Sequence, residues 1–458
     1  MIQERYILFN HMIQMSKTTF TLIIIIVIAA LVGGGYWFYI ENTGNVNPGS
    51  NPVTNNNSTG TGNIFSPLAG NNISKVTTTG SNPSNTTGTT SLQNQTNSSP
   101  VPSLRELSST PVGGMSASTT GTTTDVRWID RGTGYVYQAS SNSLAITELS
   151  NTTVPMIYQS FWNRNLNAFI FQSLDDTTNA ITNFYTVLSP MSQTTPVTGT
   201  TTMSASSTLS TNTPYQLRGE PLPSNISEIA INPEHTSVFT LALSADSAVD
   251  SSGIGSISQF DGSKKTEIFN TPLTQVNAEW PADNTIALTT KGSATEPGFL
   301  YFVNPKTGVF SNILANTKGL DTLTNHDASL VLYSASGGTN GLTTSIYDIK
   351  AGTTQILAFN TLPEKCSWSS INKDDLICAV PSSIPSAQYP DAWYQGTIAF
   401  SDSIWEINIT TGEVHELADL ASLSGKQIDA ENLTLDSKEN FLYFINKRDL
   451  TLWSLSLD

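Results

Sequence analysis

Few residues in this chain of 458 stand where they could do chemistry. The four histidines, His11, His235, His326 and His415, are scattered. None lies in an HExxH pair or beside a second ligand, so no metal site and no cofactor are expected. GxSxG, Walker and DxDxDG motifs are absent, which leaves nucleophilic, nucleotide and calcium chemistry without their usual frameworks. Gly132-Thr-Gly134 and Gly253-Ile-Gly255 read as hairpin glycines, since neither joins a strand to a helix. Asp175-Asp176 and Asp374-Asp375 read as polar turns, because the carboxylate spacing of a glycosidase is set by the fold rather than by adjacency. His235 and His326 read as solvated turn residues.

The richest constellation is the stretch from Pro381 to Asp402, which carries Tyr389, Asp391, Trp393, Tyr394 and Asp402. Aromatic rings interleaved with carboxylates in a long loop suit peptide or glycan recognition, because flat rings offer large area at low entropy cost. Lys291, Glu364 and Lys365, with Asp175 and Asp176, would share its face if the chain folds into radial four-stranded blades. In such a fold the loops between second and third strands, and between blades, converge around the channel. The candidate ligand-binding set is Tyr389, Asp391, Trp393, Tyr394, Asp402, Lys291, Glu364 and Lys365. The alternative is that Trp393 and Tyr394 pack the loop onto its own blade, since a long ordered loop needs a core. Trp128, Trp162, Trp280, Trp368, Trp405 and Trp453 occupy strand positions and are read as core. The two cysteines, Cys366 and Cys378, flank one hairpin and form a candidate disulfide, the alternative being two small buried residues.

The elements that must position these residues are short apolar strands separated by turn signals, with almost no helical periodicity after Pro102. A loose unit recurs in QSFWNRNLNAFIFQS, SEIAINPEHTSVFTLAL, NAEWPADNTIALTT, DTLTNHDASLVLYSA, CSWSSINKDDLICAV and ENLTLDSKENFLYFI. Third and fourth strands follow, as in TSIYDI and AGTTQILAF, giving four strands per unit of about 40 to 55 residues. Inner strands are expected near Val112, Pro155, Ser227, Val276, Asp321, Lys365 and Ala430, which makes seven blades; six, eight or a parallel β-helix are the alternatives. The last unit stops after three strands, so Ser103 to Val112 is expected to supply its outer strand and close the ring. The fold class is therefore all-β, a β-propeller over residues 103–458.

The turns WNRNLN, WPADN, WSSINKDD and LDSKEN are degenerate forms of the W-S-x-D type, and through them the blades resemble WD-repeat-like and TolB-like propellers. With TLPEKCSW, YPDAWYQG and FINKRDLTLW, the chain resembles a family of membrane-anchored bacterial propeller proteins without an assigned activity. That likeness implies architecture and no mechanism.

Upstream of the blades, Thr18 to Ile40 contains no charge. Its 23 positions would reach about 34 Å as a helix, enough for a hydrocarbon core of about 30 Å. Arg5 and Lys17 precede it and Glu41 follows, so residues 1–17 are expected in the cytoplasm and the rest outside. The apolar run continues through Ile40 and no cysteine ends it. Both features favour an uncleaved signal anchor over a signal peptide or a lipoprotein. Residues 41–102 are mostly Asn, Thr, Ser, Gly and Pro, with only Glu41 and Lys75 charged, and read as a stalk with a coil span of roughly 45 Å. A second low-complexity run, Ser189 to Pro214, reads as a long exposed loop. Only 12% of residues are charged and the net charge is −16, without a basic patch, so nucleic-acid binding is not expected. Three functions remain: a binding or scaffold module for a protein or glycan partner at the cell envelope, an extracytoplasmic hydrolase or lyase acting on sugars or peptides, or a structural accessory of a surface assembly.

Overall fold

In the computed structural model, the described residues are 101–175, 180–191, 214–244 and 252–457. Residues 1–100, which include the expected anchor, lie outside them, as do Asp176 and most of the run from Ser189 to Pro214. Among the described residues no helix is long and apolar enough to cross a membrane.

Twenty-eight strands, β1 to β28 in chain order, form seven four-stranded antiparallel sheets among the described residues. The first strands of the blades are Val112–Thr120 (β2), Ile157–Trp162 (β6), Ile226–Ile231 (β10), Val276–Ala282 (β14), Asp321–Thr324 (β18), Cys366–Trp368 (β22) and Ala430–Leu435 (β26). Each begins within two residues of its expected start. Ser189 and Pro190 belong to Ile181–Pro190 (β8) and pair with Gln216 and Tyr215 of Tyr215–Leu222 (β9), so the first two residues of that low-complexity run are strand rather than loop.

The radial order follows from side-chain chemistry. Second strands such as Ala168–Leu174 (β7, AFIFQSL) and Phe441–Asn446 (β27, FLYFIN) are buried along nearly their whole length, because a neighbouring blade covers each face of the sheet. Outermost strands such as Thr353–Ile356 (β21, TTQI) are exposed throughout and correspondingly polar. Every seam between adjacent blades holds an apolar cluster. Among the six tryptophans read as core, Trp280 and Trp405 are only partly buried.

Ring closure is supplied by Leu104–Glu106 (β1), which pairs antiparallel with Thr451–Ser456 (β28) in the register Leu104 to Leu455 and Glu106 to Trp453. That pairing covers the edge strand that the last blade would otherwise expose. The seam it seals packs Leu107, Val112 and Trp128 on Tyr443 and Leu452. Across it, Asp436 accepts from the hydroxyls of Thr124 (2.7 Å) and Thr119 (3.2 Å). Turn residues elsewhere staple blades in the same way. The imidazole of His235 meets the Trp162 carbonyl at 3.0 Å and that of His326 meets the Trp368 carbonyl at 3.3 Å. These histidines thus tether their turns to a neighbouring blade rather than standing only in solvent.

Candidate functional site: the channel mouth

Cys366 and Cys378 are direct cross-strand partners in blade six, and they form a disulfide with Cα atoms 4.1 Å apart. Just before Cys366, the 3-10 turn Pro363–Lys365 points two side chains in different directions. Glu364 lines the central channel, whereas Lys365 is wholly buried. Its ammonium donates to Asp402 Oδ2 (2.7 Å), Asp429 Oδ1 (2.5 Å) and the Ala430 carbonyl (2.9 Å), which uses all three of its N–H bonds. Burial pulls the Lys365 pKa down, but the two carboxylates more than offset this and hold it above its ordinary value. Asp402 is pushed up to about 6, mainly by burial and against the pull of Lys365. Lys365 and Asp402, expected as ligand-binding residues, are therefore internal framework. A charged pair in a propeller interior is tolerable only when each charge is satisfied there.

The loop from Pro381 to Asp402 corrects a second expectation. Tyr389 and Trp393 are fully buried and form a core of their own with Leu342, Leu362 and Phe400, so neither ring is free to meet a ligand. The Trp393 indole donates to Asp429 Oδ2 at 3.0 Å, which ties the loop to the buried lysine cluster. Asp391, also expected to contact a ligand, instead accepts from the Ala294 amide of blade four at 2.6 Å. Ser336 of blade five donates to the Tyr389 carbonyl at 2.7 Å. Close approach of this loop requires Gly341 at φ +87°, where a Cβ would collide with the Ala387 carbonyl. The loop is a packed cap seated on several blades, as its own need for a core dictates.

What the cap delivers to the channel is Tyr394, the last residue of the single helical turn Asp391–Tyr394 (α1). The residue is 38% exposed while its hydroxyl reaches Glu364 Oε1 at 2.7 Å and Asp321 Oδ2 at 3.0 Å. One hydroxyl carries one proton and cannot donate to both carboxylates, so the second contact is completed by a proton on a carboxyl. The electrostatics agree. Burial lifts Asp321 to about 6, and burial with the neighbouring Asp321 charge holds Glu364 well above the carboxylate range. Burial, and then these two carboxylates, push Tyr394 upward as well.

Further carboxylates line the same channel from the first strands of other blades. Burial raises Glu279 to about 8, and it raises Glu228 and Glu431 against the pull of Lys291 and Lys447 respectively. Lys291 stands 3.3 Å from Glu228, and Lys447 stands 3.9 Å from Glu431 while lying over the Trp393 ring. These carboxyls are open to the channel on one side, and water there tempers the shifts. The cavity that Glu228, Glu279, Asp321 and Glu364 share measures about 450 Å³ and is also lined by Tyr158, Gln172 and Asn277, with Asn432 rather than Glu431 facing it from the last blade.

Of the eight candidate residues, Glu364, Lys291 and Tyr394 reach the channel mouth, and the other five do not. Asp175 directly follows the second strand of blade two and is not among the residues that line this cavity. Asp321, Glu228, Glu279 and Glu431 escaped the sequence reading as site residues. The signal for them is a carboxylate within the first few positions of an innermost strand, where one face of the strand looks into the channel. Among the described residues, no group of His, Cys, Asp and Glu has the arrangement of a metal site.

No family model matches the chain, and no curated protein matches it. Among solved structures it is similar to an oligogalacturonate lyase in complex with manganese, at 10% identity and TM-score 0.44 over 76% of this chain and 97% of that one. It is also similar to an oligogalacturonate lyase from Vibrio parahaemolyticus (9% identity, TM-score 0.43, 76% and 97% covered). A third is the β-propeller domain of the Trilobed protease from Pyrococcus furiosus (10%, 0.43, 75% and 97%). At such distances the likeness concerns the propeller alone and carries no chemistry to this chain.

Proposed function

We infer that this chain is a membrane-anchored, extracytoplasmic binding module that takes part of a protein or glycan partner into the mouth of its propeller channel. The anchor rests on the uncharged run from Thr18 to Ile40 and the charges that flank it. The observation that carries the binding reading is the Tyr394 hydroxyl shared by Asp321 and Glu364, from neighbouring blades, at the wall of an open polar cavity. Such a group presents donors and acceptors already oriented by the cap, so little ordering is left for a ligand to impose.

The hydrolase or lyase reading draws support from the same pair. Both carboxyls touch one oxygen, so the contacting atoms lie no more than about 6 Å apart, a bound that admits the roughly 5–5.5 Å separation of a retaining glycosidase. Against it, the phenol occupies the space in which a water or a glycosidic oxygen would have to sit. The full chain and its Tyr394→Phe variant, probed on peptide and glycan arrays, separate the readings. Binding that weakens about tenfold in the variant supports the module. Binding that survives unchanged refutes the site, and product formation abolished by Asp321→Asn transfers the assignment to an enzyme.

A further inference from the structure

Next to the channel, between the first two blades and on the same face, lies a second cavity of about 770 Å³. Its exposed lining is unusual for a polar surface protein. Met156, Leu174 and Ile181 are 41%, 37% and 36% exposed, and each comes from a different segment of blade two. Tyr158 and Ile181 line this groove and the channel cavity alike, so the two spaces are contiguous. Asp130 in the groove wall is already occupied: it accepts from the Thr110 and Thr133 hydroxyls and from the Gly132 and Thr133 amides. What the groove offers a ligand is therefore mostly aliphatic surface.

Resting on the binding reading above, we propose that the groove and the channel together take an extended peptide segment, with a bulky apolar side chain in the groove and a lysine or arginine side chain in the channel. Three arguments select this occupant. A sugar placed against Met156, Leu174 and Ile181 would leave buried hydroxyls without hydrogen-bond partners, which is unfavourable. An apolar side chain buried there would instead remove apolar surface of both partners from water. Charge complementarity chooses the second side chain. Among the described residues, Glu228, Glu279, Asp321 and Glu364 line the channel and Glu431 stands beside Lys447; against them are Lys291, Lys447 and the Arg131 guanidinium on the groove side, while the Lys365 ammonium is already spent on Asp402 and Asp429. Carboxyls outnumber cations, and an entering ammonium or guanidinium would supply the missing charge.

Binding of that kind has a proton signature. Tyr158 and Tyr394 stay protonated at neutral pH, since burial raises both. Glu279, lifted to about 8, also holds its proton at neutral pH but must release it to pair with a cation, and Asp321, lifted to about 6, must do the same at the acid end of the range. Affinity for a basic peptide should therefore rise between pH 6 and pH 8, with protons released to the buffer.

The test uses the full chain in detergent and labelled unstructured heptapeptides that pair Leu or Phe with Lys. Control peptides carry Ser in place of the apolar residue or Glu in place of Lys, and neutral and acidic oligosaccharides run alongside. Anisotropy should show binding that weakens at least about tenfold with either control peptide, and equally with Ile181→Asp, a change at an exposed position. Calorimetry in buffers of different ionisation enthalpy should show proton release, reduced in Glu279→Gln. Oligosaccharide binding that is lost in Tyr394→Phe and indifferent to Ile181→Asp would overturn the peptide proposal while leaving the channel reading intact. Equal affinity for the Glu peptides, affinity independent of pH, or no peptide binding up to millimolar concentration would also overturn it.

Discussion

Replacing Lys365 by methionine keeps most of the side-chain volume and removes one charge from a pocket where Lys365, Asp402 and Asp429 are all fully buried. Asp429 would keep its bonds from the Trp393 indole and the Phe400 amide. Asp402 would keep only the Ala430 amide on Oδ2, its Oδ1 having no partner even in the intact protein. Removing one partner of a buried ion pair costs about 3–5 kcal/mol. The ammonium also lies 5.6 Å from the Trp393 ring and 5.4 Å from that of Phe400, contacts worth about 1–2 kcal/mol when desolvated. Protonation of Asp402 offsets part of the loss, because burial already lifts its carboxyl to about 6. A raised carboxyl contributes stability that is fully present below its unfolded pKa of 3.8 and is lost as pH rises through about 6. Without the lysine that upper limit moves higher still. The expected loss is therefore about 4 kcal/mol at pH 8 and clearly less at pH 5. Urea unfolding followed by tryptophan fluorescence, at both pH values, measures it. A loss under about 1 kcal/mol at pH 8, or an equal loss at the two pH values, would refute the reasoning. Adding Asp402→Asn and Asp429→Asn to the methionine variant should restore part of the stability, since the uncompensated charges are then gone.

Glu279→Gln tests the channel electrostatics. With the carboxyl raised from 4.5 to about 8, wild-type stability should fall as pH rises across that window. The full shift would be worth about 5 kcal/mol, but channel water screens it. The variant should gain about 1–2 kcal/mol at pH 8 and nothing at pH 4, and an unchanged pH profile in urea unfolding would contradict the assignment. Reduction of the Cys366–Cys378 bridge should add two hydrogens to the intact mass and lower the urea midpoint. The Cys366→Ala, Cys378→Ala protein should lose about 2–3 kcal/mol and no longer respond to reductant.

Much of this architecture is legible in the sequence because propeller blades are local. Each strand pairs with the next one along the chain, so alternating apolar runs and turn residues specify every sheet but the last. Even the closing strand announces itself, since Ser103 to Val112 supplies what the unit ending at Asp458 lacks. The Cys366–Cys378 pairing is of the same local kind, two residues facing each other across one hairpin. The site is not local. Tyr394 and Glu364 of blade six and Asp321 of blade five are 30 to 73 residues apart, and they meet only because the ring sets neighbouring blades side by side around one axis. Nor could residue type alone decide that Glu364 faces the channel while the adjacent Lys365 turns inward to two aspartates, or that Trp393 anchors a cap while Tyr394 reaches the mouth. The chain's own periodicity determined the blades. The closed ring decided which charges face the channel and which must be neutralised inside, because burial and carboxyls from several strands are set by the assembled circle.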